Sequence, residues 1–213
     1  MTADQLRQSP LGHLTDTPPA SGRGYPHLGP AVTGERGVRL REVPFHAQLN
    51  LRLDPAGAAA ARVGKALGAA LPAQADTAVR AGDLQVLWLG PDEWLVVGPD
   101  GSGPTTERVL RAALADEPGS VVDVSANRTT LELTGPAARQ VLEKGCSLDL
   151  HPRAFAPGRC AQTTVSKVNV VLHQLDEAPS YRLLVRGSFA QYLADWLLDA
   201  MEEYRHSPLP ALP

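Results

Sequence analysis

The run Phe45-His46-Ala47-Gln48-Leu49-Asn50-Leu51-Arg52-Leu53 alternates apolar and polar residues without a break. In an extended strand a period of two puts every apolar side chain on one face, so this stretch is satisfied by a strand with one side buried. Asp54-Pro55 follows at once, a cap and first-turn pair that opens an Ala-rich helix predicted to reach about Leu67. A strand with one face to hide, running straight into a helix, points to an α+β chain in which helices and sheets share a core.

The same grammar continues downstream. A Pro/Ala/Gly stretch ends at Asp83, and strands are predicted over 84–89 and 93–97, joined by the Gly90-Pro91-Asp92 turn. A helix with Val109, Leu110, Ala113 and Leu114 on one side runs to about Ala115, and a strand over 121–124 closes a β-α-β-β-α-β half at about 44–125. The second half, about 128–204, opens with Thr129, Leu131 and Leu133 on one strand face. Gly135-Pro136 then starts a short helix that Gly145 ends. An irregular stretch over 146–163 precedes a hairpin with Val168, Val170 and Leu172 facing Tyr181, Leu183 and Val185. Ser188 and Gln191 form a capping-box pattern. The final helix carries Phe189, Tyr192, Leu193, Trp196, Leu197, Ala200, Met201 and Tyr204 on one stripe. The order of the second half, β-α-β-β-α, nearly repeats the first, and two such halves are expected to share a core.

A chain of 213 residues with 43% hydrophobic and 20% charged residues is large and apolar enough to bury that core. A net charge of −3 gives no electrostatic reason to expect nucleic acid or an anionic membrane as partner. Residues 1–36, with Pro10, Pro18, Pro19, Pro26 and Pro30, read as an arm ahead of a folded part over 37–205. The arm is either a disordered tail or a segment that orders against a partner, because Leu11, Leu14 and Leu28 have little else to pack on. The start of the chain lacks the apolar stretch of an export signal, and no apolar run approaches the ~20 residues that span a bilayer. A cytoplasmic protein with Cys146 and Cys160 reduced is expected.

Catalytic and cofactor signatures are missing where they should stand out. Gly22 to Gly24 lies in the arm, and the glycines at 98–103 have neither dinucleotide spacing nor a P-loop Lys-Ser/Thr. The six histidines are scattered, and the two cysteines lie 14 positions apart without a metal-ligand pattern. Cys146 with His151 is weighed as a thiolate–imidazole pair, but a small Cys after a helix end more simply packs. No catalytic, cofactor or metal residue is therefore assigned. The candidate residues are those suited to an interface. Trp88, Asp92 and Trp94 flank or form the hairpin turn, where the two rings are either hairpin core or an exposed anchor for a partner. Asn127 and Arg128 belong to the Asp-Val-Ser-Ala-Asn-Arg run joining the halves, read as a tight structural connection with a ligand or interface contact for Arg128 as the alternative. His151, Arg153 and Arg159 cluster with Asp149 in the irregular stretch, either as a binding loop or as a solvated loop held by internal ion pairs.

Longer strings carry a resemblance. Leu87-Trp88-Leu89-Gly90-Pro91-Asp92-Glu93-Trp94-Leu95 and Val122-Asp123-Val124-Ser125-Ala126-Asn127-Arg128-Thr129 resemble the sarcosine oxidase gamma-subunit family. So do the segments 144–153 (KGCSLDLHPR), 157–163 (PGRCAQT) and 189–197 (FAQYLADWL), and the likeness runs from about Ser9 to Ala200. Residues 131–149, with Leu-Thr-Gly-Pro-Ala-Ala-Arg-Gln-Val-Leu and then Leu-Asp-Leu, are more distantly similar to glycine-cleavage aminomethyltransferases. The resemblance implies a folate-binding-domain architecture in which the two halves pair. It also implies membership of a heterotetramer that demethylates sarcosine to glycine, yielding hydrogen peroxide and either formaldehyde or 5,10-methylenetetrahydrofolate. Alpha, beta and delta subunits would be the partners, with FAD, FMN, NAD and zinc held on them. The alternative is a stand-alone folate-dependent one-carbon protein.

Overall fold

The computed structural model describes residues 7–14, 28 and 31–204. Most of the 1–36 arm, with Pro18, Pro19, Pro26, Pro30 and Gly22 to Gly24, lies outside the described residues. The described strands are β1 (Arg39–Glu42), β2 (Ala47–Leu53), β3 (Ala78–Ala81), β4 (Leu84–Gly90), β5 (Glu93–Gly98), β6 (Gly119–Asp123), β7 (Arg128–Thr134), β8 (Cys160–Val165), β9 (Val168–Asp176) and β10 (Ser180–Arg186). The helices are α1 (Ala58–Leu67), α2 (Gly103–Leu114), α3 (Ala138–Glu143) and α4 (Ala190–Met201).

The strands form two five-stranded antiparallel sheets, ordered β3-β4-β5-β2-β6 and β8-β9-β10-β7-β1. The two orders correspond strand for strand, with β2 and β7 in the same place. The last position of the second sheet is filled by β1, which precedes the entire first half. Each half therefore has a strand that its sequence pattern does not announce. Ala78–Ala81 lies within the stretch read as connecting, and Cys160–Val165 overlaps the stretch read as irregular. Both are sheet edges, short and poor in alternation, so their hydrogen bonding rather than their side-chain pattern makes them strands.

Period two decides which face of each sheet meets helices. Leu49, Leu51, Trp94 and Val96 join Ala59 and Val63 of α1 and Leu110 and Leu114 of α2 in one core. Leu131, Leu133, Val170, Leu172, Leu183 and Val185 join Val141 of α3 and Leu193, Leu197 and Met201 of α4 in a second. The opposite strand faces meet each other through Leu87, Leu95 and Val97 against Cys160, Val171 and Leu184. The layers thus run helix, sheet, sheet, helix, and the two halves share apolar cover at the inter-sheet contact while each keeps a further core against its own helices.

Several local expectations change. α1 begins at Ala58 with Gly57 as its N-cap, and Asp54 instead accepts the Ala56 backbone N–H at 2.9 Å. The Ser188–Gln191 capping box does not form, because Gly187–Phe189 is a 3₁₀ turn and α4 starts without a side-chain cap. Val109 is 37% exposed, and Phe189 and Tyr192 are 48% and 42% exposed, so all three leave the buried stripes assigned to them. Gly135 sits at φ +117°, with the Gly37 carbonyl oxygen 2.5 Å from where a Cβ would stand, which reserves this approach between β7 and the β1 entry for glycine.

Leu11 and Leu28 are fully buried in the second core, and Leu14 packs against it. These arm residues find their cover within the chain itself. The Leu28 N–H donates to the Leu40 carbonyl at 2.9 Å, and the Ser9 hydroxyl donates to the Glu42 carboxylate. Leu11→Ala should cost about 2–5 kcal/mol of unfolding free energy in urea titration, whereas Val109→Ala should stay within about 0.5 kcal/mol. Equal effects of the two would remove the arm from the core.

Candidate functional site

The inner faces of the sheets are apolar over only part of their contact. Beyond it lies a strip of buried polar groups. Glu132 on β7 is held between two arginines of its neighbouring strands: Arg41 Nε donates to Oε1 at 2.9 Å and Arg182 Nε to Oε2 at 3.3 Å. Cross-strand register makes this possible, since Arg41, Glu132 and Arg182 are direct partners across β1, β7 and β10. His46 Nδ1 lies 3.1 Å from the Thr130 hydroxyl. Burial, with Arg182 adding to it, pushes both His46 and His173 down to about 4; nearby Glu132 opposes the shift at His46 without reversing it. Cys160, also buried between the sheets, donates to the Thr77 carbonyl at 3.2 Å, and burial pushes its thiol up to about 12. That is a packed, unreactive cysteine.

Two concave surfaces flank this interior. An apolar groove of about 850 Å³ is lined by Ala60, Gly64, Lys65, Leu71, Trp88 and Trp94, among others. A more polar cleft of about 680 Å³ is lined by Arg128, Lys167, Arg186, Phe189, Asn169 and Thr164, among others. Among the described residues no group of three or more His, Cys, Asp or Glu side chains could hold a metal ion.

The expected interface residues scatter over this framework. Trp94 is 2% exposed, and its Nε1 donates to the Pro72 carbonyl at 2.9 Å. It is hairpin core, so the exposed-anchor reading fails for it. Trp88 is half-buried, and both rings line the apolar groove. Asp92 is exposed in an ion pair with Arg52 at 3.1 Å. Asn127 is exposed, its N–H donating to the Val124 carbonyl at 2.9 Å, while Asp123 accepts the Ser125 N–H at 2.8 Å. The Asp123 to Arg128 connection is thus locally hydrogen-bonded, with the Arg128 side chain turned into the polar cleft.

In the 149–159 loop backbone turns, and no ion pairs among the described residues, hold the chain, so the ion-paired alternative is not the one formed. Asp149 accepts the His151 N–H at 2.9 Å, and His151 Nδ1 accepts the Arg153 N–H at 3.2 Å. His151 and Arg153 are exposed, Arg159 is half-buried, and the Arg159 Nε is buried without a hydrogen-bond partner. Cys146 packs against the second core. Sequence reasoning missed Arg186 and Lys167 in the cleft. Their only signal was a position at a strand end and in a hairpin turn.

Comparison with known proteins gives this arrangement its place. The sarcosine oxidase gamma subunit family matches residues 52–203. The chain belongs to that family. It is 43% identical over 203 residues to the sarcosine oxidase subunit gamma of Corynebacterium sp. (strain U-96), covering 94% of this chain and 92% of the relative. It is 44% identical over 200 residues to that of Arthrobacter sp, covering 93% and 92%. A chain of the heterotetrameric sarcosine oxidase from Corynebacterium sp. U-96, solved in complex with pyrrole 2-carboxylate, superposes with a TM-score of 0.83 at 42% identity, covering 97% of this chain and 100% of that one. Aminomethyltransferase T of the Bartonella henselae glycine cleavage system shares the fold alone, at a TM-score of 0.60 and 14% identity over 75% of this chain and 45% of that one. No helix among the described residues is long and apolar enough to cross a membrane.

The two depressed histidines give the fold a pH signature. Between pH 6.5 and about 4 the unfolded chain takes up protons that the folded chain refuses, so stability present above pH 6.5 is lost as pH falls through that window. Chemical denaturation at pH 7 and pH 5 should show the loss, and His173→Gln should make it shallower by up to half. An unchanged pH slope in His173→Gln would show that another group sets it.

Proposed function

We propose that this chain is the gamma subunit of a heterotetrameric sarcosine oxidase and serves there as a docking and shape-giving subunit without a catalytic site of its own. The observation that carries this reading is the near-complete superposition on one chain of a heterotetrameric sarcosine oxidase. In this reading the assembly oxidises sarcosine to glycine, with oxygen reduced to hydrogen peroxide. The one-carbon unit leaves as formaldehyde or as 5,10-methylenetetrahydrofolate. FAD, FMN, NAD and zinc sit on the alpha, beta and delta subunits. The chemistry of this chain's inner face supports that division of labour: buried His173 and half-buried His46 are held neutral, the inter-sheet cysteine is held as a thiol, and Glu132 is occupied by two arginines. None of them is presented for proton or group transfer.

The docking surface would draw on Asp92, Asn127, Arg128, His151 and Arg153, with the groove beside Trp88 as an apolar element. The division into an arm over 1–36 and a folded unit over 37–205 belongs to this proposal, and the burial of Leu11 and Leu28 supports an arm whose described part is held by its own domain. A stand-alone folate-dependent role has only a shared fold behind it, and fold does not carry function. The purified chain should show no flavin absorbance and no sarcosine-dependent peroxide, yet co-elute with the other subunits when produced with them. A flavin spectrum from the lone chain would overturn the proposal, and micromolar tetrahydrofolate binding in calorimetry would favour the stand-alone role.

A further inference from the structure

The polar cleft contains a charge arrangement that the described residues leave uncompensated. Arg128, the first residue of β7, and Arg186, the last of β10, are direct cross-strand partners. Like charges placed opposite each other on neighbouring strands destabilise a sheet. Both line the cleft together with Lys167. Among the described residues no carboxylate stands within ion-pair distance of any of the three. Glu93 attracts Arg128 from the other sheet, but it accepts the Asn50 amide at 2.7 Å. Its pull is outweighed by burial and by Arg186, which hold Arg128 below its usual value.

The surroundings favour a protein occupant over a free anion. Phe189 lines the same cleft with half its surface exposed. Tyr192, one turn further along α4, is also exposed, its hydroxyl 2.8 Å from that of Ser166, the neighbour of Lys167. Leu184 and Val171 continue the lining from the inter-sheet core. Arginine beside exposed aromatic surface is the composition of a protein interface. A free anion would answer the charges and leave the rings in water, whereas an acidic side chain on a polypeptide answers both. Guanidinium groups match a carboxylate through paired N–H donors.

We propose that Arg128 and Arg186 clamp an Asp or Glu carboxylate carried on a partner subunit, with Lys167 and the Phe189 ring completing the dock. The inference rests on the gamma-subunit reading and names the chemistry that its partner must present. The test is retention of this chain on a tagged partner subunit after co-expression, at low and high salt. Arg128→Gln/Arg186→Gln should lower retention about tenfold at low salt and lose most of the salt dependence of the wild type. The thermal midpoint of the isolated variant should not fall, because a repulsive pair has been removed. Arg128→Lys/Arg186→Lys should recover part of the retention. If the double variant does not fold, Arg186→Gln, at an exposed strand end, carries the same test with a smaller expected loss. Wild-type retention by the variants at both salts would overturn the proposal. So would tight citrate binding to the isolated chain that is lost in a variant whose assembly is normal. A wild-type chain that no partner subunit retains would instead defeat the gamma-subunit reading, and this inference with it.

Discussion

A sheet has two faces, and the four described α-helices can cover only one face of each sheet. The other two must cover each other, and every later feature of the molecule follows from how incompletely they do so. Leu87, Leu95 and Val97 meet Val171, Leu184 and Cys160 in a small dry contact. Beyond it the facing residues are charged or polar, and the sheets hold a buried strip and an open cleft instead of a second hydrophobic seam. Alternation along each strand makes this unavoidable: the residues interleaved with the helix-facing apolar set must point inward, and along β7 these are Arg128, Thr130, Glu132 and Thr134.

The strip shows how such a surface is stabilised once water is withdrawn. Glu132 would be costly as a lone buried carboxylate, and two guanidinium groups in hydrogen-bonding geometry offset that cost. Arg128 and Arg186 lie on the same faces of the same two strands, four positions further along the ladder, without an acid between them among the described residues. The contrast between a satisfied triad and an unsatisfied pair within one ladder separates the structural use of charge in this sheet from the part left for another molecule.

How much of this the chain declares in advance depends on the element. β2, β4, β5, β7, β9 and the helices are visible because alternation or a 3.6-residue stripe is a local property. β1, β3 and β8 are four to six residues long, and their side chains are too mixed to mark a buried face. Among site residues, Arg128 could be singled out because it sits in a distinctive run. Arg186 could not, since its meaning comes from lying opposite Arg128, and register between residues 58 positions apart has no local trace. Trp94 was open between hairpin core and exposed anchor, and only the Pro72 carbonyl that accepts its indole N–H, 22 residues away in sequence, decides for the core.

The position of β1 has one further consequence. Arg36, just ahead of that strand, stacks over the Tyr204 ring at 4.7 Å, so the end of the last helix lies beside the entry to β1. Read from β7 through α4 and on into β1, the second half has the same order of elements as the first, β-α-β-β-β-α-β, as though a duplicated unit had been circularly permuted by a cut before its final strand. During synthesis the segment that finishes the second sheet emerges first and waits for some ninety residues before its partner on β7 appears. The first half, contiguous from β2 to β6, can close on its own, whereas the second cannot complete its sheet until β1 is brought back to β7.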